Sequence, residues 1–204
     1  MSLVKLIAQA DERGLAASGL ACLDRCVPLL GGDDEVLRPL WAGLVDGADW
    51  AERVTKVRGE LGAASSGGGD SDGDSSGRGP GVNSGGGDEV VGLARRMLDS
   101  IPEERSVEGL REWAEVCSVA ALRIHQLLDP LDKGDADAVT ACREGRTEGV
   151  SHLVGSELRR QLVVLELFAA HGATGVRKAL DVSTEGRRVL RAVVSRRARG
   201  ARRG

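Results

Sequence analysis

The sequence predicts an all-α protein made of two helical units joined by a disordered Gly/Ser linker. Apolar side chains recur at three- and four-residue intervals through most of the chain, and this is the period of a helix. Aromatic residues make up only 2% of the sequence, so the core must consist of Leu, Val and Ala. Such a core suits close helix packing better than a sheet does. A long Gly- and Ser-rich run then separates two groups of helical segments.

Residues 1–62 are predicted to form the N-terminal unit, which contains four short helices. Ser2 and Asp49 are residue types that cap helix N-termini, and Gly14 and Gly31 are typical stops. Acidic residues at 33–35 favour the positively polarised start of the third helix. The four predicted helices span about 2–13, 15–30, 33–44 and 50–61.

Residues 63–87 are predicted to be the linker. They include ten Gly and six Ser, and Val82 is their only apolar side chain larger than Ala or Pro. Such a segment buries too little apolar surface to offset its ordering entropy. Asp70, Asp72 and Asp74 resemble part of a calcium loop, but no Glu closes that loop at its twelfth position. We therefore predict no calcium site there.

Residues 88–186 are predicted to form the C-terminal helical bundle. Asp88 is interpreted as an N-cap, and Ser106 opens a long amphipathic helix that closes at Asp129. A weaker helix follows at about 136–146. The segment 152–171 is apolar over most of its circumference, which predicts the central core helix. Its residues expected to face water are Glu157, Arg159, Arg160, Gln161 and Glu166.

Residues 187–204 are predicted to be an Arg-rich basic tail. They carry eight arginines and no acidic residue. Because the net charge of the whole chain is -3 and this segment contributes +8, residues 1–186 carry -11. A basic tail on an acidic body can attract any polyanion, or the molecule's own acidic surface, through charge alone.

Residues 176–197 allow a more specific interpretation. Ala179-Leu-Asp-Val-Ser183, followed by Arg187-Arg188 and Leu190, resembles the helix-turn-helix motif of bacterial DNA-binding regulators, although Gly186 departs from its pattern. The resemblance implies a supporting helix at 176–180, a turn at 181–183 and a recognition helix at 184–197. The alternative is a single last amphipathic helix that packs on the body and ends in a solvated tail. Under the first interpretation, the possible nucleic-acid contacts are Thr184, Arg187, Arg188, Arg191, Arg196, Arg197, Arg199, Arg202 and Arg203.

Catalytic and metal-binding patterns are weak in this sequence. Cys22 and Cys26 lie four residues apart, but the two further ligands that a zinc site needs are missing nearby. We interpret the cysteines as reduced core residues of a cytoplasmic protein. The sequence also lacks phosphate-loop, dinucleotide-binding and G-x-S-x-G signatures. It therefore predicts no cofactor, no metal and no enzymatic activity.

The preferred functional prediction is a non-catalytic adaptor, scaffold or accessory subunit that binds another protein or itself. Trp41 and Trp50 are possible interface anchors, because Trp is enriched at binding hot spots; burial in the core is the alternative for both. Apolar runs are short or interrupted by charge, so no transmembrane span is predicted. The alternative function is a DNA-binding regulator that uses 176–197 and the basic tail.

Overall fold

Helices form almost all of the regular structure, which confirms the predicted fold class. The computed structural model describes residues 2–47, 49–66, 85–132 and 135–201, and within these ranges it contains no β-strand. One 3₁₀ turn, Gly172–Gly175, accompanies the α-helices. The α-helices are α1 (Leu3–Gln9), α2 (Glu12–Leu30), α3 (Arg38–Asp46), α4 (Trp50–Ser66), α5 (Gly85–Asp99), α6 (Val107–Leu128), α7 (Ala136–Arg143), α8 (His152–His171) and α9 (Val176–Ala201).

Short polar side chains fix the starts of several helices. The side chains of Ser2, Ser106, Asp135 and Ser151 each accept a hydrogen bond from a backbone N–H in the first turn. Ser2 was predicted as a cap, and Ser106 as the residue that opens its helix. Asp11 caps α2 through the Gly14 N–H at 2.7 Å, so α1 ends at Gln9 and Gly14 lies inside α2. The prediction that one helix runs to Arg13 was wrong for this reason.

The helices extend into both ends of the predicted linker. α4 continues to Ser66 and α5 begins at Gly85. Asp88 therefore lies in the first turn of α5, where its charge still suits the helix dipole, and does not cap it. The rest of the predicted linker, including Asp70, Asp72 and Asp74, lies outside the described residues.

The two groups of helices share one hydrophobic core. α2, from the N-terminal group, packs against α5, α6, α8 and α9 of the C-terminal group. Of its 19 residues, 15 are buried, whereas α8 has one buried face. The predicted central helix was therefore the wrong one: α2 occupies the centre. The short residues of α2 carry little hydrophobic signal in the sequence, but they allow neighbouring helices to come close.

Two glycines show how close this packing is. A Cβ atom on Gly19 of α2 would lie 2.7 Å from Cε3 of Trp113, so the indole of α6 rests directly on the α2 backbone. A Cβ atom on Gly186 of α9 would overlap with Cδ of Arg25. Each glycine therefore marks a helix crossing that a larger residue would push apart.

α9 is one uninterrupted helix from Val176 to Ala201. The predicted turn at 181–183 is absent, so the helix-turn-helix interpretation of 176–197 was wrong. Ala179, Ser183, Gly186 and Leu190 are buried at four-, three- and four-residue steps, which places one face of α9 on the body. This is the arrangement of the alternative, a last amphipathic helix that packs on the bundle.

Candidate functional site

A cluster of buried polar side chains crosses the middle of the bundle, and we call it the buried polar centre (Arg25, Ser118, His125, Glu157 and Gln161). Arg25 donates from Nη2 to Oε1 of Glu157 at 2.5 Å and from Nε to Oε2 at 2.9 Å. Both side chains are fully buried. Gln161 donates to Glu157 at 2.9 Å and accepts a hydrogen bond from the Ser118 hydroxyl at 2.8 Å. This bidentate pair joins α2 to α8 inside the core.

Arg25 and Glu157 keep each other in their charged forms. Burial alone would raise the pKa of Glu157, but the charge and hydrogen bonds of Arg25, with the hydrogen bond from Gln161, lower it below the usual value. Burial would likewise lower the pKa of Arg25, and Glu157 raises it instead. Glu157 is therefore a carboxylate and Arg25 a guanidinium at neutral pH.

His125 lies next to the Arg25–Glu157 pair, but its ring is uncharged. Its Nδ1 is 2.8 Å from the Ala121 carbonyl oxygen and its Nε2 is 3.7 Å from Oε2 of Glu157. Burial lowers the pKa of His125 more strongly than the nearby Glu157 raises it. The ring is therefore neutral, and Nδ1–H donates to Ala121. Nε2 has no hydrogen-bond partner within the described part of the chain.

The cysteines near this centre are not reactive groups. All four are free and buried, as the sequence predicted for core thiols. Burial raises the pKa of Cys22 to about 12, even though Nη2 of Arg25 lies 3.4 Å from its sulfur. A protonated thiol without solvent access is a poor nucleophile. The buried polar centre therefore has the character of a structural site.

The positions of Glu157 and Gln161 correct the sequence interpretation, which placed both on a water-facing stripe of the helix 152–171. Both are buried. Their i,i+4 spacing puts them on one face of α8, where they meet Arg25 of α2 and Ser118 of α6. The sequence does contain this spacing, but the partners are 132 and 43 residues away in sequence, and nothing local identifies them.

A second group of charges attaches α9 to the N-terminal helices, and we call it the Asp24 clasp (Asp24, Asp34, Trp41, Arg187 and Arg191). Arg187 donates from Nη1 to Oδ1 of Asp24 at 2.8 Å and to the Asp34 carbonyl oxygen at 2.5 Å. Trp41 Nε1 donates to the other oxygen of Asp24 at 2.9 Å. Arg191 forms an ion pair with the Asp34 carboxylate and donates a hydrogen bond to it. This hydrogen bond lowers the pKa of Asp34.

The tryptophans are core residues and not exposed anchors. Trp41 and Trp50 are 2% and 5% exposed. Trp50 Nε1 donates to the Pro102 carbonyl oxygen at 2.8 Å. The rings of Trp50 and Trp113 pack edge to face, with 6.3 Å between their centroids. The interface role considered for Trp41 and Trp50 is therefore not supported, because neither side chain is exposed to a partner. Burial in the core was the correct alternative.

The predicted nucleic-acid contacts divide between the interior and the surface. Arg187 is buried in the Asp24 clasp, and Thr184 is half-buried beside it. Arg191 is exposed but paired with Asp34. Arg202 and Arg203 lie outside the described residues. The exposed members on the outer surface of α9 are Arg188, Arg191, Arg196, Arg197 and Arg199.

A surface groove of about 740 Å³ lies where the end of α6, the start of α8 and the last turns of α9 meet. We call it the α6–α9 groove. Its apolar lining is contributed by Leu127, Leu128, Pro130, Leu153 and Val193, and its charged lining by Asp129, Asp132, Arg196 and Arg197.

The charges around the α6–α9 groove are segregated by element. The acidic residues belong to the end of α6 and the turn after it, whereas the basic ones belong to α9. Arg197 donates to the Leu127 carbonyl oxygen at 2.5 Å, which satisfies one of the last carbonyl groups of α6 and links the two helices. Leu131, within the same acidic turn, is 88% exposed. The groove therefore combines apolar surface with fixed charges of both signs.

Across the described ranges, no three His, Cys, Asp or Glu side chains are grouped so as to hold a metal ion. Within those ranges, no helix has both the length and the apolar character that crossing a bilayer requires.

Comparisons of this chain with protein-family models, with curated proteins and with solved structures found no match.

Proposed function

We propose that this protein acts by binding another protein, as a non-catalytic helical adaptor or accessory subunit, and that the α6–α9 groove is the binding surface. The observation that carries the proposal is the groove itself: a largely apolar concavity, one wall of which is the turn that carries Leu131, a leucine that is 88% exposed. Apolar surface rimmed by polar groups is typical of protein interaction sites. The four free thiols support a reducing compartment, and we include the cytoplasm in the proposal.

The character of the polar clusters supports binding over catalysis. The buried polar centre is closed to solvent, and its thiol and imidazole neighbours are held in their neutral forms by burial. A general base or nucleophile must reach a substrate. Stoichiometric metal in the purified protein would contradict this part of the proposal.

Site-specific photo-crosslinking tests the binding surface. A benzophenone amino acid replaces Leu131, beside the groove, and in a matched variant replaces Val45, another exposed hydrophobic residue, on α3. In extracts of the source organism we expect a discrete product at Leu131 that is absent at Val45. The partner identified in that product, once purified, should then bind the unmodified chain in solution. Equal products at both positions, or none at Leu131, would contradict the proposal.

A second candidate function, binding of a polyanion such as DNA or RNA, is favoured by the surface of α9. This helix exposes seven basic side chains against two acidic ones, Asp181 and Glu185; the basic ones are Arg177, Lys178, Arg188, Arg191, Arg196, Arg197 and Arg199. Because α9 is continuous, this candidate rests on charge and not on the helix-turn-helix geometry. Charge alone predicts binding that is strongly salt-dependent and insensitive to sequence.

The test measures binding of labelled duplexes of two unrelated sequences across a salt series. Truncation at residue 187 would remove the buried Arg187, so the informative variant replaces the exposed Arg188 and Arg199 by Gln. We expect binding at low salt to both duplexes, with a shallower salt dependence in the variant. No binding at low salt would exclude this candidate.

A further inference from the structure

The α6–α9 groove also specifies the kind of protein segment that fits it. We propose that its occupant is an amphipathic helix of a partner protein, with an apolar stripe and one acidic and one basic flank. This inference rests on the proposed function. It adds the secondary structure and the charge pattern of the partner.

The walls of the groove favour a helix as the occupant. They are formed by α6, α8 and α9, and the described ranges contain no sheet edge to which a strand could add. Helices pack on helices by fitting ridges of side chains into grooves. A groove with an apolar floor is the usual receptor for a helix that presents residues at i, i+3, i+4 and i+7.

The charges of the groove favour a helix with two different flanks. Arg196 donates from Nε to the Ala192 carbonyl oxygen of its own helix, at 3.3 Å. After Glu185, the rest of described α9 carries no acidic residue, so its end is wholly basic. Asp129 and Asp132, by contrast, stand at the end of α6, where the helix dipole adds negative potential. An acidic flank is attracted by α9 and a basic flank by the 129–132 turn.

Two other ligand chemistries fit the groove less well. A nucleic acid would leave the apolar floor unused and would meet the two aspartates at close range. A long-chain carboxylate would use the floor and the arginines, but it offers nothing to the acidic turn. The peptide experiment includes dodecanoate as the long-chain carboxylate, and the duplex-binding test of the second candidate function covers the nucleic acid.

The experiment measures binding of fluorescent helical peptides of about 18 residues, or five turns, to the full chain by anisotropy. The first peptide carries a Leu stripe with Glu on one flank and Lys on the other. The second has Lys on both flanks, and the third has the mixed flanks but Gln in place of the stripe. We expect the first to bind at least about ten-fold more tightly than either of the others.

A charge reversal in the protein tests the role of α9. Arg196→Glu with Arg197→Glu should weaken the mixed-flank peptide and shift the preference to the all-Lys peptide. The matched control is Arg177→Glu with Lys178→Glu, which makes the same change at the exposed first turn of the same helix and should leave the order of affinities unchanged. Circular dichroism verifies the helix content of both variants.

Several results would overturn the inference. Equal affinities for the three peptides, or tight binding of dodecanoate with none of any peptide, would do so. A chain that is dimeric in solution and becomes monomeric in the Arg196→Glu, Arg197→Glu variant would make a second copy the occupant. If crosslinking at Leu131 succeeds while the peptides show no preference, the proposed function stands and this inference fails.

Discussion

At the scale of residues, Arg25 and Glu157 show how this core accommodates charge. Both are fully buried and bound to each other by two hydrogen bonds. The idealised cost of transferring each ion from water is large, and only close geometry with additional hydrogen bonds offsets it. Here Gln161 and Cys22 supply those bonds. Removing one member should therefore cost much more than removing both.

Arg25→Met and Glu157→Leu should each lower the free energy of unfolding by about 3 to 5 kcal/mol, because each leaves an uncompensated buried charge. The double variant should lose less than the worse single variant, since two apolar side chains of similar volume replace the pair. Urea unfolding of all four proteins measures this double-mutant cycle. Losses that simply add would show that the two charges do not depend on each other.

The titration of His125 should make the stability of the protein depend on pH. Its folded pKa is lowered, chiefly by burial, below the value of about 6.5 in an unfolded chain. The unfolded chain therefore binds more protons as the pH falls below about 6.5, so acid favours unfolding. Around the ring, Glu157 opposes this effect, whereas Arg25 and Arg160 reinforce it. The free energy of unfolding should fall as the pH decreases below about 6.5, by at most about 1.4 kcal/mol per pH unit.

Urea unfolding at a series of pH values measures this decline. In His125→Leu the slope in the same range should be smaller, because the titrating group has been removed. This comparison needs only the slopes, so a lower overall stability of the variant does not affect it. An unchanged slope would show that another group controls the stability in this range.

At the scale of elements, α9 combines two interactions that together determine its path. Its buried face packs on α2 and α8, and the Asp24 clasp joins it to the N-terminal helices. The sequence predicts a helix here and an apolar face for it, because both follow from local periodicity. The continuity of α9 through 181–183 was not predictable, since it depends on contacts with Asp24 of α2 and with Asp34, which lie over 150 residues earlier in sequence.

Gly186 is the clearest example of this dependence. The sequence interpretation treats it as a flaw in a helix, but α9 requires it because the stem of Arg25 passes against its backbone. Gly186→Ala should lower the free energy of unfolding by about 1 to 3 kcal/mol through overpacking, despite the higher helix propensity of Ala. Gly59→Ala in α4 is the matched control, because a Cβ atom there meets no atom within 4 Å.

Urea unfolding compares the two variants with the unchanged chain. Gly59→Ala should raise the stability by up to about 1 kcal/mol, the gain in helix propensity alone. If both variants were stabilised alike, the close approach of α9 to Arg25 would be wrong.

Replacing Arg187 and replacing its neighbour Arg188 should have very different effects on the stability of the protein. Arg187→Gln removes the charge that compensates Asp24, whose pKa is already raised by burial. We expect a loss of about 3 kcal/mol in the free energy of unfolding. Arg188→Gln, at the next and exposed position, should change it by less than about 0.5 kcal/mol. Thermal and urea unfolding measure both, and equal effects would contradict the position of Arg187 in the clasp.

At the scale of the whole molecule, the two groups of helices are parts of one core. The sequence predicted both groups correctly as helical, because composition and periodicity are local properties. It could not predict that α2 lies at the centre, since Ala, Gly and Ser carry little hydrophobic signal. For the same reason it gave no indication of the α6–α9 groove, which depends on three elements that meet only after folding.

A break in the chain between α4 and α5 tests this shared core. A protease site introduced between residues 72 and 79 lies outside every described helix, and its cleavage yields one fragment with α1–α4 and one with α5–α9. The fragments should remain together at low concentration, because separation would expose the apolar faces of α2 and its partners to water. Size-exclusion chromatography before and after cleavage measures this. Fragments that separate without denaturant would show that each group of helices is stable alone, and that the contacts of α2 with α6, α8 and α9 are too weak to join them.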